Sequence, residues 1–183
     1  MDGRRPEDRQ LVLISGAVAS GKTRLAWRLA ELARARAILA ASIDMDELVE
    51  ILAGRDWSLV TNEDRQRACE LAATVAQRLF DQDVRFIAIS GSTVSPYEWD
   101  QVLRDLNTTP VTTYVLLRVS LAEAVRRAQE DQTRVATRNS DLLARLHSAI
   151  DWARVPHADI DVDTDGLHPD EVAEAVWSRL RME

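Results

Sequence analysis

The sequence predicts an α/β fold, a five-stranded parallel sheet with helices on both faces. Three observations carry that prediction. Short apolar runs alternate with segments of helical periodicity along the whole chain. The first apolar run opens directly onto a glycine-bounded loop that closes on Lys-Thr and a helix. No repeat, low-complexity tract or linker divides the 183 residues, so one domain over 1–183 with a single core is expected.

The elements follow in order. Residues 1–9 form a polar lead-in. Leu11-Val12-Leu13-Ile14 is apolar throughout, as a strand buried on both faces requires. Gly16-Ala17-Val18-Ala19-Ser20-Gly21-Lys22-Thr23 matches the phosphate-binding loop pattern, and Leu25, Ala26, Leu29, Ala30, Leu32 and Ala33 stripe the helix after it. A second strand spans Ala37 to Ile43 and ends at Asp44-Met45-Asp46. A short helix, Glu47 to Ala53, closes at Gly54. Residues 55–60 make a loop carrying Trp57. Thr61 and Asp64 have capping-box spacing and open a helix to about Phe80.

Val84 to Ser90 is the third strand, emptying into Gly91-Ser92-Thr93-Val94-Ser95-Pro96-Tyr97. A helix follows from about Pro96 to Leu106. Thr112 to Val119, rich in β-branched residues, is the fourth strand. Leu121 to about Asp131 is helical, residues 131–139 are polar and arginine-bearing, and a further helix covers about 140–153. Ala158 to Val162 is the fifth strand, and Pro169 opens a last helix to Leu180.

Composition narrows the function. A net charge of −7 argues against a broad nucleic-acid surface, so basic residues act locally. No run is long enough to span a membrane, and no apolar signal region opens the chain. The single cysteine, Cys69, allows no internal disulfide and reads as a small buried residue. A cytoplasmic setting is expected, and a homodimer is compatible with it.

Ligands in parallel sheets sit at the carboxyl ends of the strands. That rule selects residues 16–23, 44–46, 90–97 and 120–138. In the first, Gly16 and Gly21 allow the turns and main-chain amides face a phosphate. Lys22 reaches the β- and γ-phosphates, and the Thr23 hydroxyl holds Mg²⁺. In the second, Asp44 and Asp46 are expected beside the loop. One would hold a metal-bound water, and the other would accept a proton from an acceptor hydroxyl. Their alternative is a pair of helix-capping acids. In the third, Ser90 and Gly91 stand where a motor ATPase has an acid, which favours transfer to a bound acceptor over hydrolysis. In the fourth, Arg126, Arg127, Arg134 and Arg138 fit a mobile lid over about 126–139. Their alternative is a solvated face paired with Glu123, Glu130 and Asp131.

At these residues the chain resembles the P-loop kinases of small molecules, and most closely adenylylsulfate (APS) kinase, over about Leu11 to Leu180. The resemblance rests on Gly16 to Thr23, Asp44-Met45-Asp46, Glu63-Asp64-Arg65, Ser95-Pro96-Tyr97 and Arg127. It implies a P-loop nucleoside-triphosphate hydrolase fold with ATP and Mg²⁺ as cofactors. On the donor side it implies Gly16, Ala17, Ala19, Ser20, Gly21, Lys22, Thr23 and Arg24, with Arg127 near adenine and the loop Thr164 to Pro169 opposite. It implies Thr23 and Asp44 at the metal, and Lys22, Asp44, Asp46 and Arg134 in catalysis. It places Asp46, Arg65, Ser92 and Ser95 on the acceptor, a small molecule with a hydroxyl.

Glu98 replaces the family's arginine after Ser-Pro-Tyr, the arginine pair after Glu-Asp-Arg is missing, and the lid reads Glu130-Asp131-Gln132-Thr133-Arg134. Fewer cations and more acids disfavour an anionic acceptor. The expected function is therefore γ-phosphate transfer from ATP to a neutral or cationic alcohol. The alternatives are a genuine APS kinase and a nucleotide-binding module without catalysis.

Overall fold

The computed structural model describes residues 9–54, 57, 59–92, 96–131, 139–150, 155 and 157–180. Five strands, β1 (Gln10–Gly16), β2 (Ala40–Asp44), β3 (Phe86–Ser90), β4 (Val111–Arg118) and β5 (Ile160–Asp163), form one sheet in the order β2-β3-β1-β4-β5. All four pairings are parallel. The helices are α1 (Lys22–Ala35), α2 (Met45–Ala53), α3 (Asn62–Asp81), α4 (Pro96–Arg104), α5 (Leu121–Glu130), α6 (Ser140–Ser148) and α7 (Pro169–Trp177).

Side-chain alternation explains the continuous apolar runs of the central strands. Val12 and Ile14 of β1, with Phe86 and Ala88 of β3, point to the layer that holds α1 and α7. Leu11, Leu13, Ile87 and Ile89 point the other way, onto Ala72, Ala76 and Phe80 of α3 and Trp99 and Val102 of α4. Both faces of β1 and β3 are buried, and between Gln10 at the start of β1 and the carboxyl ends of the two strands every position is apolar. Cys69 lies in the second layer at 1% exposure, and burial, with the charges of Glu98 and Asp105, pushes its thiol up to about 12. It is a packing residue, not a nucleophile.

The second and third strands begin later than the apolar pattern suggests, at Ala40 and Phe86. Both delays have one cause. Helix α1 ends in a Schellman turn, with Ile38 N bonded to Ala33 O and Ala37 N to Arg34 O, and Ala37 takes a left-handed φ of 60°. Helix α3 ends the same way at Asp83, φ 64°. Neither stop carries the glycine that normally marks it. An alanine in that conformation stores local strain. Ala37→Gly is therefore expected to raise stability by about 0.5–1 kcal/mol, read from the denaturant midpoint.

The expected capping box holds: Thr61 Oγ1 accepts from Asp64 N and the Asp64 carboxylate accepts from Thr61 N. The Thr61 hydroxyl and amide hold the Asp64 carboxyl below its ordinary range. Helix α6 stops at Ser148, short of the expected 153, and 151–154 lie outside the described residues. No described helix is long and apolar enough to cross a membrane.

Candidate active site

The loop between β1 and α1 is shaped by contacts that leave no room for larger residues. A Cβ on Gly16 would lie 2.5 Å from the Leu117 carbonyl oxygen and 2.6 Å from Ser20 Oγ. Gly16→Ala is expected to cost about 1–3 kcal/mol and to displace the loop, read by thermal unfolding with and without nucleotide. Gly21 caps α1 with a φ of 97°, and Ala19 is held left-handed at 64°. Ser20 N bonds back to Ala17 O at 3.2 Å, tightening the turn.

Lys22 opens α1 yet is only 6% exposed, and its Nζ donates to Ala17 O at 3.0 Å. A buried ammonium facing the carbonyl of its own loop sits in a cradle suited to an anion. Ser20 Oγ and Ser90 Oγ are buried with no hydrogen-bond partner among the described residues. Orphaned hydroxyls of this kind mark places where a ligand atom or water belongs. Arg24, in the first turn of α1, is exposed.

Asp44 ends β2, which β3 separates from the loop strand β1. It reaches the loop all the same. Asp44 and Ser90 are register partners, and Thr23 Oγ1 donates to Asp44 Oδ2 at 2.6 Å. Burial holds the Asp44 carboxyl above its ordinary range; the Thr23 hydroxyl opposes that shift and the nearby Asp46 charge adds to it. Asp44 also caps α2 by accepting from Asp46 N. The metal-facing and capping readings therefore describe one carboxylate with two oxygens in use.

Strand geometry does not persist past Asp44. Helix α2 starts at Met45, which turns into the core, and Asp46 is placed by the first helical turn. Its carboxylate accepts from Ser92 N at 3.0 Å and from Ser92 Oγ at 2.6 Å. This clamp joins the carboxyl end of β2 to the residue two past β3. The sequence placed Ser92 near the acceptor without showing that it would hold Asp46. Beside them a small pocket is lined by Met45, Asp46, Val49, Arg65, Gly91, Ser92 and Glu98. The Arg65 guanidinium lies over the Trp57 ring, 5.9 Å from its centroid, and Trp57 Nε1 donates to Glu50 Oε1 at 3.3 Å.

Across the loop, Arg127 donates to Thr164 Oγ1 at 3.1 Å and to Thr164 O, and Glu123 fixes its Nε at 2.7 Å. Thr164, 1% exposed, ties this cluster to Arg118 O at 2.9 Å. The structure thus brings Arg127 and the loop after β5 together beside Ser20. Arg126 lies on the solvated face of α5, bridging Glu123 and Glu130. Glu123, held by Arg126 and Arg127, is pulled down to about 2. Arg134 and Ser95 lie outside the described residues. Among the described residues no cluster of three or more His, Cys, Asp or Glu is arranged as a metal-binding group.

The shikimate kinase family model matches residues 18–181. No curated protein matches the chain significantly in sequence. Among solved structures, a sugar kinase from Janibacter sp. HTCC2649 is similar at 19% identity, with 95% of each chain covered and a TM-score of 0.68. APS kinase of Mycobacterium tuberculosis, solved with AMPPNP and APS, is 19% identical over 95% of this chain and 98% of that one, with a TM-score of 0.67. A gluconokinase from Sinorhizobium meliloti 1021 is 16% identical, covering 94% of this chain and 92% of that one, with a TM-score of 0.64. At such identities these neighbours share the fold and leave the acceptor open.

Proposed function

Since the chain belongs to the shikimate kinase family, we propose that it is an ATP-dependent kinase that moves the γ-phosphate to a hydroxyl of a small molecule. One observation supports this most: a loop with buried Lys22, the Thr23–Asp44 pair and the Asp46–Ser92 clamp meet at the carboxyl edge of one parallel sheet. The family also supports the coarser statement, a small-molecule kinase, against the reading of a nucleotide-binding module alone.

In this reading the amides and Lys22 of the loop receive the phosphates, with Gly16, Ala17, Ala19, Ser20 and Gly21 forming the cradle. Thr23 and Asp44 would hold Mg²⁺, which when bound neutralises charge on the transferring phosphate. The orphaned hydroxyls of Ser20 and Ser90 fit such occupants. Asp46 orients the acceptor hydroxyl and takes its proton as the hydroxyl oxygen bonds to the γ-phosphorus and the bond from that phosphorus to the β–γ bridging oxygen breaks, releasing ADP. Arg127 and the Thr164 loop border the adenine, and Arg134 closes over the phosphates. Arg65, Ser92 and Ser95 bound the acceptor.

Relative to APS kinase the acceptor half is altered: Asp46 and Glu98 share the pocket with Arg65 alone among its described cations. A neutral or cationic alcohol fits that balance better than adenylylsulfate. The test is a panel of hydroxyl compounds incubated with ATP and Mg²⁺, with phosphorylated products read by mass. Turnover of an alcohol supports the reading. Adenylylsulfate as the preferred acceptor would restore a genuine APS kinase, and ATP binding with no product from any alcohol would favour the module.

A further inference from the structure

We propose that the acceptor is an alcohol that also carries an amine, and that Glu98 is the residue that selects it. The proposal rests on the kinase reading above and narrows its substrate class.

The argument is one of charge left over. Of the ionised side chains lining the pocket, Asp46 is already engaged, both of its oxygens accepting from Ser92. Arg65 is turned onto the Trp57 ring, whose indole N–H donates to Glu50. Glu98 makes no hydrogen bond or ion pair among the described residues, although it is half-buried and lines the pocket with the other two. It stands in the first turn of α4, where the helix N-terminus favours a carboxylate. The ionised groups lining the pocket, Asp46, Glu98 and Arg65, sum to −1, and the Glu50 carboxylate beyond its lining adds a further negative charge nearby. A carboxylate or phosphate on the acceptor would meet net repulsion there. An ammonium would meet a carboxylate in want of a partner, in a setting where solvent screening is reduced.

The floor of the pocket limits how the acceptor enters. Gly91 cannot carry a side chain without pressing on Met45, whose Cβ would lie 3.2 Å away, and Val49 adds a second apolar wall. The pocket is therefore narrow between its charged groups. That shape admits one edge of an acceptor, the edge that carries the amine.

The test compares hydroxyl compounds of similar size that differ in charge: glucosamine, glucose and gluconate, with shikimate as a second carboxylate. The full chain is assayed with ATP and Mg²⁺ for phosphorylated product, and ATP binding is followed separately by calorimetry. The expected result is at least tenfold higher kcat/KM for glucosamine than for glucose, with gluconate and shikimate lower still. Glu98→Gln is expected to reduce the glucosamine-to-glucose ratio at least tenfold. The wild-type comparison needs no variant, so a poorly folded Glu98→Gln protein leaves it intact. A carboxylate-bearing or neutral acceptor preferred over its amine-bearing partner would overturn the proposal while leaving the kinase reading standing. So would an unchanged ratio in Glu98→Gln, or bound ATP with no product from any of the four. Failure of the wild-type chain to bind ATP would overturn the kinase reading itself.

Discussion

Replacing Lys22 by alanine is expected to lower phosphoryl transfer roughly 10²–10³-fold and to weaken ATP binding, with the fold retained. The charge on a transferring phosphoryl group spreads over its oxygens, and a cation fixed beside them in a site shielded from water acts with little reorganisation. Lys22 is set up in that manner: 6% exposed, and held by Ala17 O rather than drifting in solvent. Its removal deletes a buried charge along with one hydrogen bond. Relief of the desolvation penalty offsets the missing bond, and the thermal midpoint should move little. Calorimetry with ATP and a turnover assay read the two effects. Unchanged ATP affinity in Lys22→Ala would mean that the loop does not receive the triphosphate.

Asp46→Asn is expected to separate chemistry from binding. Turnover should fall roughly 10²–10⁴-fold, the range of a lost general base, while ATP affinity stays close to that of the wild type. Asparagine keeps the size of the side chain and one oxygen for the Ser92 contacts, so the clamp that places it is largely preserved. It cannot take a proton. Equal losses in turnover and in ATP affinity would count against a proton-accepting role and would favour an electrostatic one, shared with Asp44.

The loop was legible because its chemistry is contiguous. Gly16, Gly21, Lys22 and Thr23 lie within eight residues, and strand, turn and helix leave signals in apolar period and glycine spacing. Asp44 and Asp46 were also legible as chemistry, but not as geometry. Strand order puts β3 between β2 and the loop strand, and only the structure shows that Asp44 still reaches Thr23. The separate duties of the two acids, one on Thr23 and one on Ser92, follow from a helix that begins between them. The arginine segment divided as well. Arg126 and Arg127 share Glu123, yet only Arg127 reaches Thr164, because one turn of helix cannot present adjacent residues to the same side. The strand starts at Ala40 and Phe86 were misread because left-handed Ala37 and Asp83 end helices without a glycine. The resemblance to APS kinase placed the chain among small-molecule kinases, but the family it belongs to is that of shikimate kinase.

By itself the sequence determined the α/β class, the alternation of elements and the phosphate loop, since each depends on residues close in the chain and on local periodicity. Tertiary structure alone decided which side chains meet: Thr23 with Asp44 across 21 residues, Arg127 with Thr164 across 37, and Asp46 with Ser92 across 46. The reason is that a parallel sheet brings its carboxyl ends together whatever their spacing in sequence, and strand order, which no local pattern encodes, sets which ends are neighbours.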